Sequence, residues 1–135
     1  MNKTVTLLIV VLLVVVLGAG GAIGYLMMNN QNQEVKTYIY APASSFITNV
    51  RDSKALVKTT MSIQVTNKKA VEELEEKSTQ VNDVINRILR QKSIDEMMSY
   101  EIQDILATEI CRQIMDDTGI NGLDTVYFSE FVVQQ

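Results

Sequence analysis

From residue 5 to residue 28 the chain reads VTLLIVVLLVVVLGAGGAIGYLMM, without one charged side chain. At about 1.5 Å per residue a helix of this length reaches roughly 36 Å, more than the ~30 Å hydrocarbon core of a bilayer. The stretch predicts an uncleaved transmembrane helix over 5–28, behind a tail of residues 1–4. A cleaved signal peptide would share the basic start at Lys3, and Gly20-Gly21-Ala22 could serve as a small-residue cleavage site. The apolar run then resumes at Ile23 and continues to Met28, which is longer than a signal peptide needs. Residues 29–37 open with NNQNQ and read as a short polar linker.

Beyond the linker the hydrophobic period changes. Tyr38-Ile39-Tyr40 is β-prone and is followed by Pro42, the only proline, which ends it or places it at an edge. Residues 45–50, SFITNV, form a candidate strand, and Arg51-Asp52-Ser53-Lys54 a polar turn. Val57, Thr59, Met61, Ile63 and Val65 then share one face of a period-two pattern, with Lys58, Thr60, Ser62 and Gln64 on the other. That alternation predicts a half-buried antiparallel strand.

Thr66-Asn67 then caps a helix. Val71, Leu74, Ser78, Val81, Ile85 and Ile88 form one stripe, with glutamates at its start and Arg87, Arg90 and Lys92 at its end, an order that complements the helix dipole. Ser93-Ile94-Asp95-Glu96 is a capping box that restarts a helix. Its stripe is Ile102, Leu106, Ile110 and Ile114 with Ile105 alongside, and Gly119 is suited to the left-handed position after its last turn. The last strand, TVYFSEFVV, carries Val126, Phe128 and Val132 in alternation with Tyr127, Phe131 and Val133. Both faces thus look apolar, and Tyr127, Phe131 and Val133 form a candidate oligomer or partner surface. The order is β-β-α-α-β over residues 38–135, an α+β fold: a small two-layer domain behind a single membrane helix.

Charge and chemistry narrow the function. Of 12 basic residues only Lys3 precedes the span, so 11 basic and all 16 acidic residues follow it, a net charge of −5. That argues against nucleic acid and anionic lipid headgroups as partners. Lys3 on the near flank places the N-terminus in the cytoplasm and the domain outside the membrane. There is no histidine, and Cys111 is the only cysteine. An intrachain disulfide, a Cys/His zinc site and a Ser-His-Asp or Cys-His pair are therefore excluded. Asp116-Asp117 and Glu72-Glu73 lie on charged helix ends where solvation is the default. No catalytic residue, cofactor or metal is expected. Cys111 reads as a small buried hydrophobe, with an intermolecular disulfide as the alternative. Gly20 and Gly24 have the GxxxG spacing that lets membrane helices approach closely. These residues describe a membrane-anchored, non-enzymatic interaction domain.

The segment GINGLDTVYFSEFVVQ, residues 119–134, resembles the end of the flagellar basal body-associated protein FliL family. Its members close on a Val-Tyr-Phe-Thr-Glu-Phe-Val-x-Gln-like strand, and Ser129 stands at the threonine position. Phe46-Ile47-Thr48-Asn49-Val50 is similar to the family's first strand, and the layout of tail, span, linker and domain matches as well. The resemblance implies a stomatin-like domain in the inner membrane beside the stator proteins MotA and MotB. It further implies a ring of copies of the chain at the basal body that supports stator engagement and torque in swimming and swarming. The alternative is an anchored extracytoplasmic binding or sensor module unrelated to motility.

Overall fold

The computed structural model describes residues 2–31, 36–42 and 44–135 and divides the chain into two units, Met1–Val35 and Lys36–Gln135. The first unit holds α1, Lys3–Gln31, in which Lys3–Met28 is long and apolar enough to cross a membrane. The helix continues three residues beyond the expected end of the span, so the start of the expected linker is helical. Residues 32–35 of that linker lie outside the described residues.

In the second unit the chain forms β1 Tyr38–Tyr40, β2 Phe46–Asn49 and β3 Leu56–Val65. Four helices follow: α2 Lys68–Glu76, α3 Ser78–Arg90, α4 Ile94–Met97 and α5 Ile102–Thr118. The chain closes on β4 Leu123–Gln134. The expected β-β-α-α-β order is corrected to β-β-β-α-α-α-α-β. The short β-prone tripeptide is a true strand, and each expected helix is divided in two.

All four strands pair through β3, antiparallel throughout. Along one edge of β3, β2 pairs with its first half and β1 with its last three residues. Along the other edge β4 pairs with its full length. The period-two pattern of β3 places Val57, Thr59, Met61, Ile63 and Val65 on the inner face, all buried. Tyr40, Phe46 and Val126 join them from neighbouring strands.

The helices cover that inner face. Asn67 caps α2 by accepting the Ala70 N–H on its side-chain oxygen at 2.8 Å. Lys77 then leaves helical geometry, with φ −101° and ψ 25°, while the flanking bonds Lys77 N–H to Glu73 O and Val81 N–H to Lys77 O persist. The result is a kink, and it has a visible anchor: Lys77 Nζ donates at 2.8 Å to the Thr118 carbonyl at the end of α5. Ala70 and Leu74 in α2, then Val81, Val84, Ile85, Ile88 and Leu89 in α3, can each follow a twisted sheet only if the stripe turns between them. The capping box at Ser93 and Glu96 forms as expected, but α4 lasts one turn before the chain restarts as α5. Ile102, Leu106, Ala107, Ile110, Cys111 and Ile114 are the buried stripe of α5, while Ile105 points outward at 45% exposure. Lys92 and Glu109, largely shielded and 2.7 Å apart, join the end of α3 to α5, and Arg90 Nε donates to Thr48 Oγ1 at 3.1 Å.

Two core details generate measurable consequences. Thr59 is fully buried between Phe46 and Phe131 in the sheet, and its hydroxyl has no hydrogen-bond partner among the described residues. Thr59→Val removes an unpaired polar atom at constant shape and should stabilise the domain by about 1 kcal/mol, read as a raised denaturation midpoint with unchanged slope. Gly122 sits at φ +89°, and its carbonyl accepts the Thr66 N–H at 2.9 Å. A Cβ there would lie 2.5 Å from Asn67 Nδ2 and 2.9 Å from Thr66 Oγ1. Since Asn67 already caps α2, it cannot step aside without losing that bond. Gly122→Ala should therefore cost about 2 kcal/mol, checked by the same denaturation experiment.

Burial pushes the Cys111 thiol up to about 11, and the Asp124 carboxylate adds to the shift. At pH 8 the native thiol should thus alkylate with iodoacetamide about a hundredfold more slowly than the denatured chain, and its rate should keep rising with pH up to that value.

Candidate interaction surface

Among the described residues no group of three or more cysteines and carboxylates is placed to hold a metal ion. What the structure does present is the outer face of the sheet. Cross-strand pairing sets its rows. Ile47, Lys58 and Val132 lie side by side across β2, β3 and β4, Ser62 is opposite Tyr127, and Ile39, Gln64 and Thr125 form the row nearest β1. Ile39, Ile47 and Tyr127 are each more than half exposed, and Leu56 and Val132 about two-fifths. Polar pairs hold the surface between them: Lys58 Nζ lies 3.3 Å from Glu130 Oε1, and Gln64 Nε2 donates to Asp124 Oδ2 at 2.7 Å.

The three candidate surface residues of the last strand do not share this face. The pairing of β4 with β3 slips between Thr60 and Met61, where Ser129 is the extra residue, and again between Gln64 and Val65. A bulge reverses the sense of alternation beyond it. Tyr127 therefore points outward, while Phe131 and Val133, opposite Thr59 and Val57, point to the inner face and are half-buried. This corrects the simple alternation expected from the sequence, which grouped Phe131 and Val133 with Tyr127 and Val132 with Val126. The same bulge brings Phe128 and Phe131 onto one side, where their rings meet edge to face with centroids 5.8 Å apart. The available signal was Ser129, a polar residue between Phe128 and Glu130, which reads the same way at any outward position of a regular strand.

Gly20 and Gly24 lie one turn apart on α1, and a Cβ at either would meet nothing within 4 Å. Asp116 and Asp117 lie at the end of α5, where Asp117 Oδ2 accepts from Arg87 Nη2 at 3.1 Å and Oδ1 from Gln113 Nε2 at 2.8 Å. These are ordinary surface partners for a carboxylate. Glu73 is likewise paired with Lys69, one turn away on α2.

Comparison with known proteins adds to this geometry. Residues 39–134, from β1 to the end of β4, match the family model described as flagellar basal body-associated protein FliL. The chain is also similar to the flagellar protein FliL of Aquifex aeolicus (strain VF5), with 32% identity over 91 residues, 66% of this chain. The match spans 56% of that relative's length, little more than half. Because the family model takes in every strand of the sheet and all the helices packed on it, the chain belongs to the flagellar basal body-associated protein FliL family, a structural or accessory family of the flagellum and not a known enzyme family.

Proposed function

We propose that this protein is an inner-membrane component of the flagellar motor that associates with the stator and helps it stay engaged under load. The observation that carries the reading is the family match over the whole folded domain. In this reading Lys3–Met28 spans the inner membrane once, with the N-terminus in the cytoplasm and residues 38–135 outside, as the position of Lys3 favours. The external partners are MotA and MotB. Copies of the chain assemble in a ring at the basal body, through domains arranged as in stomatin-like proteins.

The surface is compatible with such a role. A protein that works by being held in place needs contact faces, and apolar side chains set among ion pairs supply them. Tyr127 is the member of the expected surface best placed for a partner, because it is exposed on a rigid sheet. Phe131 and Val133 would contribute from the rim of the domain. Gly20 and Gly24 would pack against a neighbouring membrane helix.

An in-frame deletion in the source bacterium tests the reading. Swimming in viscous medium and spreading in soft agar should fall while growth is unchanged, and the chain supplied in trans should restore both. Tyr127→Asp supplied in trans, at equal abundance, should restore less. Unchanged motility of the deletion strain under viscous load would overturn the proposal.

A further inference from the structure

Strand β4 pairs with β3 along one edge only. About every second residue of an antiparallel strand turns its N–H and C=O away from its partner. Among the described residues no backbone group or side chain bonds to those of 124–134 on the other edge. Such a row is a template for another strand, and soluble domains ordinarily cover or blunt it.

The C-terminal part of this edge is not bare. A cleft of about 400 Å³ is lined by Phe131, Val132 and Val133 on one side and by Met98, Tyr100 and Ile102 on the other. Phe131 and Val133 point to one face of the sheet and Val132 to the other. A cleft that touches all three therefore runs along the edge of the strand and not over a face. Its far wall is the turn between α4 and α5, where Tyr100 is fully exposed and Met98 is 62% exposed. Exposed to this extent beside an unpaired strand edge, Met98 and Tyr100 are not part of the domain's own core. A flexible methionine can adapt to a partner's surface, and a tyrosine supplies contact area at low entropic cost.

We propose that the free edge of β4 at residues 130–134 and the Met98–Tyr100 wall form a strand-addition site that takes an extended segment of another protein. The edge supplies main-chain hydrogen bonds, and the cleft accepts alternate apolar side chains of the added strand. The chemistry of the edge fixes the class of occupant, because only an extended polypeptide matches a ladder of alternating donors and acceptors. A second copy of β4 is the poorer match. The bulges at Ser129 and Asp124 break the 12-residue edge into short straight stretches, the device by which natural sheets discourage edge-to-edge pairing. The stretch 130–134 is long enough for a segment of about five residues. The site stands on this geometry alone and does not depend on the flagellar role.

A tethered strand tests it in the full-length chain, in detergent. Asn-Gly-Thr-Val-Thr-Val-Thr is appended after Gln135, so that a two-residue turn folds the tail back along the open edge. A Thr-Pro-Pro-Pro-Thr tail after the same turn, unable to pair, is the control. Amide exchange in 130–134 should slow by about tenfold or more with the first tail and not with the second. The Met98→Ala, Tyr100→Ala double variant, altered only at exposed positions, should lose most of that protection while its denaturation midpoint is unchanged. Equal exchange with both tails would overturn the site, and so would full protection in the double variant. Protection of 130–134 in the untailed chain that rises with protein concentration would assign the edge to a second copy instead.

Discussion

The pairing of β3 with β4 is the constraint on which the domain depends. Ten residues of β3 find partners in β4, across all the helices that lie between the two strands in sequence. Without it, β3 would be left with two short neighbours, and a sheet face that small could not support the helical layer. Closing such a distant contact costs chain entropy that only the buried inner face repays. Val57, Met61, Ile63 and Val65 on one strand and Val126 on the other supply that face, and α5 packs against β4 to seal it. The loop before β4 is fixed to the same end, through the Thr66 N–H on the Gly122 carbonyl.

The same pairing decides what the domain shows to the outside. Two bulges let a 12-residue strand follow a ten-residue partner. They send Phe128 and Phe131 to the same side and turn Tyr127 and Val132 outward, while the far edge of β4 has no partner among the described residues. The core, the exposed sheet face and the open edge are thus three readings of one strand. The family match runs from β1 to the end of β4 and so covers every one of these elements.

The helical layer adapts to the sheet. A single straight helix from residue 68 to 90 would carry its stripe off a twisted surface. The chain turns at Lys77 and ties the turn to the end of α5 through a charged donor on a carbonyl. The Lys92–Glu109 pair performs a similar service at the other end of α3. Burial of Tyr40 beside α2 leaves its phenol raised above the ordinary value, mainly by desolvation, with Glu75 acting in the same direction. These are local adjustments that hold two layers in one register.

The sequence by itself determined whatever depends on nearest neighbours along the chain. The apolar run that becomes α1, the alternation of β3, the caps at Asn67 and Ser93 and the left-handed Gly119 follow from period and from side-chain chemistry within a few residues. The absence of histidine and of a second cysteine excluded whole classes of chemistry in the same way. The C-terminal strand could be recognised, yet its faces could not be assigned. Where an extra residue is absorbed depends on the partner strand, and Ser129 is extra only because Thr60 and Met61 stand opposite. At Lys77 likewise, the side chain meets the Thr118 carbonyl, 41 residues away, a partner that the local sequence does not contain. Tertiary structure decided these points because bulges, kinks and open edges are properties of pairs of elements, and no single stretch of sequence contains both members.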